Sequence, residues 1–141
     1  LSQMIRANLP AAMQGLVVIP LFAGFDRRRK LGRLWKFDVT GGRYEETEFE
    51  ATGSGGLYAR ESLKHGWRRD VDQATAVRIA VEALTADADE DRATGGVDLE
   101  RKIYPIIKLC SAAGVEDVAE EKIDQIYREV LAGRVERGTA R

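Results

Sequence analysis

Two glycine-flanked hydroxyl segments carry most of the chemistry available to this chain: Thr52-Gly53-Ser54-Gly55-Gly56-Leu57-Tyr58-Ala59 and, further on, Asp91-Arg92-Ala93-Thr94-Gly95-Gly96. Hydroxyls and carboxylates are the residue types from which nucleophile-activating hydrogen-bond networks are made. Each also has a structural explanation. Ser54 suits the cap of a following helix, its hydroxyl accepting from a free amide of the first turn; Asp91 suits a helix-end carboxylate, and Thr94-Gly95-Gly96 a turn. The remaining candidates are weaker. His65 is the only histidine and has no second His or Cys at ligand spacing, which argues against a zinc site and for a surface or helix-face histidine. Cys110 is the only cysteine, so no intramolecular disulfide forms, and its place in an apolar run suits a small buried side chain in a reducing compartment, by default the cytoplasm. No metal or other cofactor is expected.

The elements that must position these residues follow from composition and periodicity. At 141 residues, 44% hydrophobic and 32% charged, the chain reads as one soluble globular domain. Twenty-two basic against 23 acidic residues leave a net charge of −1, with no bulk attraction to nucleic acid or anionic lipid. The run Arg27-Arg28-Arg29-Lys30 has no interleaved aromatic residue to stack on bases and reads as a solvated loop. The longest apolar stretch, 15–25, is broken by Pro20 and falls short of the roughly 20 residues a membrane-spanning helix needs. Neither an initiator methionine nor a basic leader segment precedes it, so the expectation is a truncated chain.

Residues 3–13 read as the end of a helix whose last turn Pro10 disturbs. The apolar run 16–22 suits a strand covered on both faces. Trp35, Phe37 and Val39 alternate with Lys36 and Asp38 before Gly41-Gly42, a hairpin turn. Two helices follow, 55–67 with Ser54 in the cap position, and a second opened by the capping pair Asp70 and Gln73, with Ala74, Val77, Val81, Leu84 and Ala88 in one apolar stripe. The acidic C-terminal end of that helix, Asp87, Asp89, Glu90 and Asp91, opposes the helix dipole, a local conflict of the kind tolerated at functional sites. A strand over 101–110 with Pro105 at an edge or bulge, a turn at 112–114, a short strand at 115–118 and an amphipathic helix ending at Gly133 complete the chain. The order is helix, strands, two helices, strands, helix: a layered α/β sandwich, domain 1–133, with a disordered tail at 134–141.

With Asn8-Leu9 through Ala12-Met13-Gln14-Gly15-Leu16, Ala23-Gly24-Phe25-Asp26, Val81-Glu82-Ala83-Leu84 and Val97-Asp98-Leu99, the two glycine motifs make the chain resemble the C-terminal two thirds of a proteasome β-subunit of the actinobacterial type. A related bacterial ATP-dependent protease ring shares the Gly-Ser-Gly-Gly-x-Tyr-Ala pattern; the Asp-x-Ala-Thr-Gly-Gly segment and the long last helix favour the proteasome. The resemblance implies an N-terminal-nucleophile hydrolase, α/β (α+β) in class, built as a four-layer αββα sandwich and here incomplete. It implies a threonine-type endopeptidase acting on polypeptides in the chamber of stacked seven-membered rings, with other β-subunits, α-subunits and an ATP-dependent unfoldase as partners.

In that family the nucleophile is a threonine opening the mature chain, activated by its own α-amino group with a lysine and an aspartate from the N-terminal half. None of these has a counterpart here. The resemblance makes Ser54 the serine beside the nucleophile's amino group, and Asp91 and Thr94 the acid and hydroxyl that complete its hydrogen-bond network; Thr94 stands where many relatives carry serine. Asp26 falls near the wall of a neighbouring subunit's substrate cleft, or is simply a strand-end aspartate. The chain alone is expected to be inactive. Two other readings remain: a nucleophile-free structural ring subunit, and an unrelated small α/β interaction module.

Overall fold

Pro10 divides the first helical segment in two. In the computed structural model, which describes residues 1–136 and 138, α1 (Ser2–Ala7) ends at Asn8 and α2 (Leu9–Ala12) begins with Pro10 in its first turn. Proline has no N–H to give to a helix interior but fits a first turn, where the amide has no partner anyway. The single helix expected over 3–13 is therefore two short ones.

The apolar run after α2 is not a strand buried on both faces. Only Leu21–Asp26 (β1) joins a sheet, while Leu16, Val17, Val18 and Ile19 are exposed, Val18 to 61%. Pro20 interrupts the ladder between the two parts. β1 pairs antiparallel with β2 (Leu31–Phe37), and β2 with β3 (Arg43–Glu46). Phe22 lies opposite Trp35 with ring centroids 5.7 Å apart. The basic run 27–30 is the exposed tip of the first hairpin. In the second, Asp38 Oδ1 accepts from the amides of Thr40 at 2.9 Å and Gly42 at 2.8 Å. Gly41 has φ +85° there, and a Cβ on it would meet the Ser2 carbonyl oxygen at 2.6 Å, so Gly41 is required both by the turn and by its contact with α1.

The helical half is built around α4 (Gln73–Glu90), which packs against α3 (Gly56–Gly66) on one side and α5 (Glu120–Glu136) on the other. Val77 and Val81 of α4 meet Ile123, Ile126 and Val130 of α5, and Ile107 closes the cluster. The expected stripe on α4 is partly right: Val77 and Val81 are buried, but Leu84 is exposed. The cap is Asp72, whose Oδ1 accepts from the Thr75 amide at 2.7 Å, and not Asp70, which sits at φ 59°. A short antiparallel hairpin, β4 (Lys108–Ser111) and β5 (Gly114–Asp117), forms a second sheet. The strand expected from residue 101 starts only at Lys108; Asp98 and Ile103 form one isolated bridge before it. Pro105, unable to donate, keeps that approach out of the ladder. Cys110 lies on β4, half-buried and free.

α5 does not stop at Gly133 but continues to Glu136. The roughly 1 kcal/mol by which glycine disfavours a helix interior is opposed by docking on α4, where Val130 is buried and Arg134 pairs with Asp89. Of the expected tail, residues 137 and 139–141 lie outside the described residues. Among the described residues the architecture is mixed α/β with two antiparallel sheets. Among the described residues no helix is long and apolar enough to cross a membrane.

Candidate functional site

The loop 51–56 and the C-terminal end of α4 meet at one carboxylate. Asp91 caps α4, its amide still donating to the Asp87 carbonyl at 2.8 Å. Its Oδ2 accepts from the hydroxyl of Ser54, 37 residues earlier, and from that of Thr94 at 2.8 Å. Oδ1 accepts from the Ala93 amide at 3.1 Å, and the Thr94 amide donates to the Asp91 carbonyl at 3.1 Å. These last bonds close the turn that returns Thr94 to the carboxylate it serves. The Ser54 hydroxyl, the Ala93 amide and the Thr94 hydroxyl together hold the Asp91 carboxyl below its ordinary value, because every donor favours the ionised form.

Ser54 does not cap α3. The cap is Gly55, one residue further on, with no side-chain bond to the helix, while the serine donates its hydroxyl proton to Asp91. Ser54 is exposed; with its proton directed to Asp91, the lone pairs of Oγ remain free to accept from a donor on the open side.

The loop is anchored upstream by Glu50, whose side chain is only 3% exposed. It accepts from the Ala51 amide at 2.9 Å, from Lys36 Nζ of β2 at 3.0 Å and from Arg60 of α3. Burial pushes its carboxyl up, but the Ala51 amide, Arg60 and Lys36 outweigh this and bring it below the ordinary value. One acid thus ties sheet, loop and helix together, a role the sequence did not suggest.

Asp26 is bonded within the first hairpin. Its Oδ1 accepts from the amides of Arg28 at 3.0 Å and Arg29 at 3.1 Å, and its Oδ2 from Arg33 at 3.1 Å. The Arg29 and Arg28 amides, then Arg33, lower its carboxyl. Arg33 also pairs with Glu45 and lies 4.6 Å from the Trp35 ring centroid. Within this chain Asp26 shapes the first hairpin. His65 is exposed on α3, its Nδ1 2.7 Å from the Glu61 carbonyl oxygen.

This geometry describes a mixed α/β chain with a Ser–Asp–Thr hydroxyl–carboxylate network at the ends of two helices. Comparison with known proteins gives its family. The family profile described as "Proteasome subunit" matches residues 1–100. The "Proteasome subunit beta" of Acidimicrobium ferrooxidans is 50% identical over 141 residues, covering 100% of this chain and 52% of that protein. Those of Acidothermus cellulolyticus and Streptomyces griseus are 49% and 46% identical, each over 96% of this chain and 48% of their own length. The chain belongs to the proteasome subunit family, among its β-type members. It spans about half the length of the curated relatives it matches.

Proposed function

We propose that the whole protein is a threonine-type endopeptidase, a β-subunit of a proteasome core particle, and that these 141 residues supply the network supporting a nucleophile carried elsewhere. The observation behind this reading is the convergence of Ser54 and Thr94 on Asp91, added to family membership. In the reaction a threonine Oγ attacks the scissile carbonyl and passes its proton to its own α-amino group; the proton then goes to the leaving amine as the acyl-enzyme ester forms. Water, deprotonated by the same amine, hydrolyses that ester. Ser54 Oγ is suited to accept from an N–H of that amino group, because its own proton points to Asp91. Asp91, ionised and held by Thr94, fixes that orientation and stabilises the positive charge on the amine when it is protonated.

The complete subunit would be a four-layer αββα sandwich in a cytoplasmic particle of seven-membered rings, with α-subunits and an ATP-dependent unfoldase delivering polypeptide. The test is N-terminal sequencing and intact mass of the chain as its native host makes it, with peptide hydrolysis assayed on the same material. A longer species opening with threonine and cleaving peptides is expected. A native chain opening at or near Leu1 and inert toward peptides would overturn the enzymatic reading and leave a structural subunit.

A further inference from the structure

Asp87 is 8% exposed, and its Oδ1 is buried with no hydrogen-bond partner among the described residues. A buried carboxylate oxygen without a donor is costly, and native proteins keep few of them. Its position gives it a role. Asp87 and Asp91 stand one helical turn apart on the same face of α4, and both meet the dipeptide Ser54-Gly55. Asp91 receives the Ser54 hydroxyl; the Asp87 carboxylate lies against the backbone of the next residue. A Cβ built on Gly55 would overlap Asp87 Oδ1 and approach Asp91 Cβ to 2.9 Å. Gly55 is itself buried and has φ −90°, a conformation open to any residue, so no backbone requirement explains the glycine. The space is taken by Asp87. The carboxylate also sits at the N-terminal end of α3, where the helix dipole favours negative charge.

We propose that Asp87 is a positioning residue for the Ser54–Asp91 pair: its carboxylate occupies the site of the missing Gly55 side chain and sets how closely the Ser54 loop approaches Asp91. This rests on the proposed peptidase reading for its catalytic consequence but not for its structural one. Asp87→Ala leaves a gap under Gly55 and frees the loop. Gly55→Ala forces the loop off α4. The two changes together place a methyl group in the volume the carboxylate vacated, so they compensate.

The experiment measures peptide hydrolysis by the full-length, assembled protein, together with amide hydrogen exchange over residues 53–59. Each single variant is expected to lower kcat by at least about tenfold with KM within about twofold, because misplacement harms the reacting geometry more than binding. The double variant is expected to recover most of that loss, with exchange protection lost in the singles and regained in the double. Asp87→Asn, which keeps the shape, is expected to retain protection. Should a single variant fail to assemble, the double variant and Asp87→Asn still report. Unchanged protection and kinetics in Asp87→Ala, or a double variant no better than the worse single, would overturn the proposal. Absence of peptidase activity in the unmodified full-length protein would instead refute the enzymatic reading and leave the exchange result to decide the role of Asp87.

Discussion

The Ser54 hydroxyl donates to Oδ2 of Asp91 across 37 residues of sequence, and the Thr94 hydroxyl donates to the same oxygen at 2.8 Å. Asp91 is therefore held below its ordinary carboxyl value of 3.8, first by Ser54, then by the Ala93 amide and Thr94. A depressed folded-state pKa means that the network stabilises the fold above the unfolded value and loses that contribution as pH falls through the lower folded value. A carboxyl-carbon NMR titration should place Asp91 below 3.8, and Ser54→Ala should move it up. An Asp91 titration indifferent to Ser54→Ala would mean that the hydroxyl does not engage it in solution.

Asp91→Asn keeps the size of the side chain and an acceptor for Ser54 but removes the charge. Under the proposed function, kcat of the full-length enzyme should fall by about 10²-fold or more, a magnitude usual for losing a group that assists proton transfer. KM should barely move, since no contact with bound polypeptide is assigned to Asp91. Steady-state kinetics on a peptide substrate decide the matter: a rise in KM at constant kcat would put Asp91 in binding instead.

Glu50 joins Lys36 and Arg60 behind the loop with its carboxylate almost fully enclosed. Replacing it by alanine removes the acceptor shared by Lys36, Arg60 and the Ala51 amide, but the two cations left behind are partly exposed and can be solvated, so the cost is about 1–3 kcal/mol. Denaturant unfolding of the full-length protein should show a loss of that order. Although burial alone would raise Glu50, the Ala51 amide, Arg60 and Lys36 lower it below 4.5, so its stabilisation is present above that pH and fades as pH falls through the lower folded value. The Glu50→Ala variant should therefore lose less stability on acidification than the unmodified protein. A parallel pH response in the two would deny Glu50 this role.

The order of elements was legible in the sequence because it depends on local pattern; the Ser54, Asp91 and Thr94 set followed from the family resemblance, each residue by itself reading as a cap, a helix-end carboxylate or a turn. Pairing was not legible. Residues 16–20 and 101–107 are apolar enough for strands, yet a strand exists only where another supplies its hydrogen bonds, and Pro20 and Pro105 mark the points at which the ladder fails. Ser54 read as a helix cap because capping is a local rule, whereas the bond it makes, to Asp91 at the end of α4, spans 37 residues of sequence. Asp87 was visible only as one acid among several at a helix end; its meaning depends on Gly55 docking against it. Glu50 gave no signal, since its partners come from β2 and α3.

The isolated 141-residue chain should self-associate. Leu16, Val17, Val18 and Ile19 form a continuous exposed apolar run, lacking sheet partners among the described residues. Val17, Val18, Ile19 and Leu57 line one groove beside Lys36, Glu50 and Arg60. Phe22 and Leu31 are exposed nearby in the first hairpin, and Ile106 is 84% exposed elsewhere. The Leu16 amide and carbonyl and the Ile19 carbonyl are bonded within the chain, but a run outside any ladder beside apolar side chains still invites edge pairing, and clustered apolar exposure favours association. Sedimentation velocity across a concentration series should show species larger than 15.6 kDa growing with concentration. Val18→Asp, which puts a charge into the run without touching the core, should shift the distribution toward monomer. A monodisperse monomer at all concentrations, unfolding cooperatively, would show that these surfaces need no cover.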